Sequence, residues 1–223
     1  MRKQLHQELD NLKTSVLNMV AQVEQTLKKT IDAFATLDAD LAQEVIEGDQ
    51  VINEMEVEID ELCLKLLALE GPVARDLRFI LGCMRICVDL ERIGDESVNV
   101  AEATIMLSFK PRLPFYDQLQ IMGQKANNML KQAVISFFAP DPDKALQVCR
   151  MDFEVDELNS KIIKEIVQYM SKESPAIVRS VHAINIARRF ERIADLSTNI
   201  AESAVFITRG INIKHYCQFD NRI

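Results

Sequence analysis

A phrase that occurs twice constrains this chain more than any other feature. Glu91-Arg92-Ile93-Gly94-Asp95 runs on to Asn99, Ala101 and Glu102, and Glu191-Arg192-Ile193-Ala194-Asp195 runs on to Asn199, Ala201 and Glu202. At about 100° per residue on a helix, acids four apart share a face and the residue eleven on returns to nearly the same line. Each copy is therefore a helical stripe of carboxylates with a carboxamide beside it, and the chain is a duplication.

The rest of the sequence supports the duplication. Leu5, Leu9, Leu12, Val16, Met19, Val23, Leu27, Ile31 and Phe34 recur at steps of three and four, which predicts a long amphipathic helix. Asp38 reads as the cap of a second helix that ends near Leu69, before Gly71-Pro72, with Gly48 loosening its first turns. A third helix is predicted from Pro72 to about Phe109 and is broken by Lys110-Pro111-Arg112-Leu113-Pro114. Displaced by 103 positions, Met122, Leu130, Lys131, Phe137, Asp141, Asp143, Ala145, Val148, Asp152 and Pro175 repeat Met19, Leu27, Lys28, Phe34, Asp38, Asp40, Ala42, Val45, Asp49 and Pro72. The expected fold is all-α, two tandem pseudo-symmetric three-helix bundles over 1–110 and 111–208. The segment 209–223 loses the pattern and is expected to fray or dock separately.

Composition excludes several functions. The 223 residues carry a formal net charge of −8 and no long basic run, which argues against nucleic acid, because phosphate contacts need clustered Lys and Arg. No stretch approaches the ~18 apolar residues of a membrane span, and the N-terminus lacks the apolar centre of a signal peptide. Five cysteines in no framework spacing read as reduced thiols of a cytoplasmic protein. Cys83 and Cys87 share a face without further ligands nearby and read as small packing residues, as does His182 among apolar neighbours.

A second acidic line precedes each phrase: Asp49, Asn53, Glu56 and Asp60 in the first copy, Asp152, Asp156 and Asn159 in the second, where Ile163 takes the last place. These lines border the apolar faces, so packing those faces brings two carboxylate rows together. Crowded carboxylates repel and resist desolvation unless protons, Arg or a cation neutralise them. Oxygen-only clusters suit hard cations, and carboxylates bridge neighbouring ions. The alternative is a solvated acidic surface with Arg92 and Arg192 pairing locally.

The phrase L-E-R-I-G-D-x3-N-x-A-E, the stretch from Gly48 to Asp60, the Ala74-Arg75-Asp76-Leu77-Arg78 string and the doubled layout resemble the PhoU family over residues 1 to about 208. The resemblance implies cytoplasmic, often homodimeric proteins that hold divalent or trivalent metal clusters (Fe, Zn, Mn, Mg or Ca) on the bundle surface. It implies negative regulation of phosphate uptake, between the ATPase-driven phosphate transporter and the sensor histidine kinase of phosphate starvation. Carried over by position, Asp49, Glu56, Glu91, Asp95, Asn99 and Glu102 hold the first cluster. Asp152, Asp156, Glu191, Asp195, Asn199 and Glu202 hold the second. Ile163 for Asp60 and Ala194 for Gly94 depart from the pattern and point to fewer ligands in the second cluster. Inorganic phosphate bound through the metal is a further expectation.

No enzyme site accompanies these motifs: the sequence has no Gly-rich phosphate loop, no nucleophile–base arrangement and no HExxH. A di-iron oxidase needs Glu-x-x-His pairs, and none of the three histidines has a Glu three residues before it. A purely structural helical adaptor remains as the competing reading. Arg75, Asp76, Arg78 and Arg85 form a charged group that is either a solvated face or a docking patch.

Overall fold

The computed structural model describes residues 2–139 and 142–210. It contains six long α-helices: α1 (Arg2–Thr36), α2 (Ala39–Leu69), α3 (Ala74–Ser108), α4 (Tyr116–Phe138), α5 (Pro142–Met170) and α6 (Ile177–Arg209). Helices α1–α3 pack as one three-helix bundle and α4–α6 as another. The bundles also join, α3 lying against α6 and α1 against α4, and a single cluster of buried side chains runs through both. The expected tail beyond Gly210 lies outside the described residues.

The breaks fall where the turn chemistry placed them. Asp38 has extended backbone and its carboxylate accepts from the Leu41 N–H at 3.0 Å, capping α2. Asp38→Ala should lower stability by about 1 kcal/mol, the usual value of such a cap, read as a reduced urea midpoint. Gly48 does not loosen α2, which runs unbroken through it. Helix α3 begins two residues later than Pro72 predicted, because Gly71 and Ala74 both take left-handed backbone (φ +54° and +49°) to turn the chain. In the second copy Pro175 sits in a 3-10 turn, Ser174–Ala176, that leads into α6. At the far end of α6 Gly210 supplies the left-handed cap (φ +68°).

Three arginines fasten the halves together at their ends. Arg112 in the crossing between bundles donates to the Ala35 carbonyl at 2.8 Å and lies over the Tyr116 ring at 5.2 Å. Arg78 at the start of α3 donates through Nε to the Ile207 carbonyl at 3.2 Å, and Arg85 stacks on Phe206 at 4.5 Å. Two members of the charged group on α3 thus hold α3 to α6, which takes them out of a free docking patch. Gly82 lies between them at the closest approach, where a Cβ would fall 2.4 Å from Ile207 Cδ1.

Cys63, Cys83 and Cys87 are free and buried in the core, as small packing residues. Burial pushes the Cys63 thiol up to about 12 and raises Cys83 and Cys87 as well, so none favours the thiolate form that metals require.

Candidate functional site

Helices α2 and α3 meet along Ile52, Ile59, Leu90 and Ile93, all buried. The residues bordering that seam are the two predicted acidic rows. Asp49, Glu56 and Asp60 on α2 and Glu91 on α3 are half-buried, whereas Asp95 is exposed. Gly94 sets how closely α2 comes: a Cβ there would lie 3.1 Å from Asp49 Oδ1 and 3.2 Å from Ile52 Cδ1.

The rows feel one another. Burial raises the Asp49 carboxyl above the usual range; the Asn53 amide, donating at 3.2 Å, pulls it down, and the Asp95 charge raises it again. Glu56 is raised by burial, then by Asp60 and Asp95, with Arg92 opposing. Glu91 is raised by burial and by Asp95, Glu56 and Asp49, again against Arg92. Asp49, Glu56, Glu91 and Asp95 therefore form one electrostatic set across two helices, and Arg92 neutralises only part of it.

The second copy repeats this on α5 and α6 and is more strained. Asp152 is pushed up to about 7 by burial first and then by Asp156, Asp195 and Glu191, with Thr198 acting the other way. Burial raises Asp156. Burial together with Asp195 and Asp156 raises Glu191, while Asp195 is raised by burial and Asp156 and held down by Arg192, 3.8 Å away. The buried side chain at 194 is alanine, so a methyl occupies the space that Gly94 leaves open to Asp49.

The remaining predicted ligands stand apart from these sets. The Asn99 amide nitrogen donates to the Asp95 carbonyl at 2.9 Å and to Glu96 at 3.3 Å, leaving its oxygen as the group able to meet a cation. Glu102 is exposed on α3, about 10 Å along the helix from Asp95. Asn199 and Glu202 are half-buried on α6. Among the described residues no three Asp, Glu, His or Cys side chains close on one point. The rows face one another without converging.

Four oxygens test whether a cation suits the donors. Asp49 Oδ1, Asp60 Oδ1, Asp152 Oδ1 and Asn159 Oδ1 are buried acceptors without a hydrogen-bond partner. All four lie on the α2 and α5 rows, all are hard oxygen donors, and an unpaired buried acceptor is unfavourable by about 1–3 kcal/mol. The donor set fits an oxygen-preferring ion. Asp60 and Asn159 belong to the stripes but not to the ligand sets chosen by position; Asn159 stands where Glu56 stands in the first copy.

Two features escaped the sequence reading. Glu96, beside the first set, pairs with Arg189 of α6 at 3.1 Å and so ties the site to the other bundle. Ser97 and Ser197, two residues after each phrase aspartate, are buried and donate to the Ile93 and Ile193 carbonyls at 2.7 and 2.8 Å. Simple extension of the repeat alignment would have found the serines.

Comparison with known proteins gives a consistent result. The PhoU domain family model matches residues 16–104 and 119–204, one copy on each bundle. The phosphate-specific transport system accessory protein PhoU homolog of Aquifex aeolicus is 37% identical over 95% of this chain and 96% of its own length. The phosphate-specific transport system accessory protein PhoU of Escherichia coli is 34% identical over 95% of this chain and 88% of its own. The crystal structure of PhoU from Pseudomonas aeruginosa superposes with a TM-score of 0.89 at 36% identity, covering 92% of this chain and 99% of that one.

Proposed function

The chain belongs to the PhoU family, and from that premise we propose that it is an accessory regulator of phosphate transport that works by binding and not by turnover. Its relatives are named as accessory or regulatory proteins of phosphate transport. In this reading it restrains the ATP-driven phosphate transporter and its sensor-kinase signalling when phosphate is ample. No helix among the described residues is long and apolar enough to cross a membrane, which accords with a protein that docks on a transporter without being part of its membrane domain.

The metal reading rests on one observation: two opposed carboxylate rows occur twice, with orphaned buried oxygens in both. Asp49, Glu56, Glu91 and Asp95 would hold cations in the first copy, with Asp60 and the Asn99 oxygen beside them. Asp152, Asp156, Glu191 and Asp195 would do so in the second, with Asn159 and Asn199. Glu102 and Glu202 are the outlying members. A multivalent ion supplies positive charge and open coordination positions that phosphate oxygens can take. The chain's own part is to hold its acids at fixed spacing on rigid helices and to partly exclude water, which strengthens the attraction.

Elemental analysis of protein purified without chelator tests this directly. Wild type should carry tightly held metal, and Asp95→Asn with Asp195→Asn should lose most of it while keeping its circular dichroism. Equal metal content in both would favour the helical adaptor. Phosphate affinity measured by calorimetry should rise at least tenfold with metal present; equal, weak binding in both states would end the link to phosphate.

A further inference from the structure

At the opposite end of the α6 helix from Gly210, the crossing between bundles faces the turn that leads into α6. A groove of about 440 Å³ opens there between the last turn of α3 and the first turns of α6. It shares no residue with the carboxylate rows. Its apolar wall includes Met106, Pro175 and Val178, and its polar groups are Lys110, Arg179 and His182.

Two properties mark this groove out. The chain holds 34 acids against 26 Lys and Arg, yet the groove lining contains no acid. Arg179 is fixed in place by donating to the Pro111 carbonyl at 2.9 Å, and among the described residues neither it nor Lys110 meets a carboxylate. The apolar groups are also unusually bare: Val178 is 68% and Met106 59% exposed, and neighbouring Phe109 is 80% exposed. A lone exposed apolar residue needs no explanation, but a group of them beside unpaired cations does.

The repeat shows that this surface is not a requirement of the fold. The start of α3, built on the same plan, reads Ala74-Arg75-Asp76-Leu77-Arg78, with mixed charge and Arg78 committed to α6. The start of α6 reads Ile177-Val178-Arg179, with Ile177, Val178 and Val181 exposed. Ile86, Leu90 and Ile93 of α3 and Ile186, Phe190 and Ile193 of α6 are buried at matching positions, while the exposed starts of the two helices differ.

We propose that this groove is a docking site for a short segment of a partner protein in which a large apolar side chain is flanked by Asp or Glu. The apolar side chain seats against Met106, Pro175 and Val178, and the carboxylates meet Lys110, Arg179 and the His182 imidazole. A groove between two helices that sets cations beside apolar groups suits a peptide segment, whose apolar side chain and carboxylates can meet both at once. It also suits a peptide better than a bare inorganic anion, which gains nothing from the apolar wall. The site is independent of the metal reading and would persist in metal-free protein.

The test is selection of a displayed random-peptide library on the full-length protein treated with chelator. Fluorescence anisotropy then measures the enriched peptides on wild type and on Lys110→Glu and Val178→Glu, both exposed positions whose change leaves the core untouched. Enriched peptides should carry at least two acids next to Phe, Leu, Ile or Met. Each variant should weaken them about tenfold or more, and added salt should weaken them further. Enrichment of basic or purely apolar peptides, or affinities unchanged by both variants, would overturn the proposal. Co-sedimentation with phosphatidylserine vesicles that is lost in the same variants, without peptide enrichment, would assign the surface to lipid and overturn it equally.

Discussion

Phe190→Ala is expected to lower the unfolding free energy by about 3–5 kcal/mol, the range for deleting a fully buried aromatic ring. The ring is 0% exposed on α6 and packs edge-on to Phe34 of α1 at 6.4 Å, while Phe34 in turn contacts Tyr116 of α4 at 5.2 Å. Gly123 of α4 lies against it so closely that a Cβ would fall 2.9 Å from Cζ. One side chain thus fills the space where three helices from both bundles meet. The cavity left behind cannot collapse easily, because helices fixed by their own bundles line it. Urea unfolding should show one transition with a lower midpoint. A loss below about 1 kcal/mol would mean that the bundles do not share a core there.

The second large effect concerns charge and has a sign opposite to that of most aspartates. Asp152 titrates near 7 in the folded protein and at an ordinary 3.8 when unfolded. Between those values the native state keeps a proton that the unfolded chain has released, so the metal-free protein becomes less stable as pH rises through that window. The three-unit difference sets a ceiling of about 4 kcal/mol, and solvent contact at the half-buried site reduces the effect to about 1–2 kcal/mol. Asp152→Asn should therefore stabilise chelator-treated protein near pH 8 by about that amount and change little near pH 4. Saturating divalent metal should reverse the order, because the wild-type carboxylate then gains a partner that the amide cannot match. A variant that is less stable than wild type at pH 8 without metal would show that the Asp152 charge is already neutralised within the chain.

The helices were largely legible because their signals are local. Asp38 caps, Pro72 and Pro175 interrupt, and the leucine-rich stripe of α1 buries from Leu12 to Phe34. The acidic rows were legible because they recur at helical spacing, and a repeat filters chance. What the sequence hid depends on the second bundle. Glu96 has no acidic counterpart, since Leu196 occupies that place, so comparing the copies gave no reason to single it out, and its partner Arg189 is 93 residues away. Arg78 and Arg85 read as surface charge because nothing local reveals that α6 lies over them. The groove combines residues from two distant turns, neither of which carries a motif.

The seam between α3 and α6 also determines how this molecule can be taken apart. Although the chain is written as two similar paragraphs, each half shows its partner an oily flank, so neither would stay dissolved as a portable module. Cutting the gene at the crossing and producing one piece alone should give sticky, poorly behaved material. Producing both pieces in one cell should let them find each other and rebuild the whole. With the two long rods α3 and α6 lying against each other, a shift of either should carry its neighbour with it.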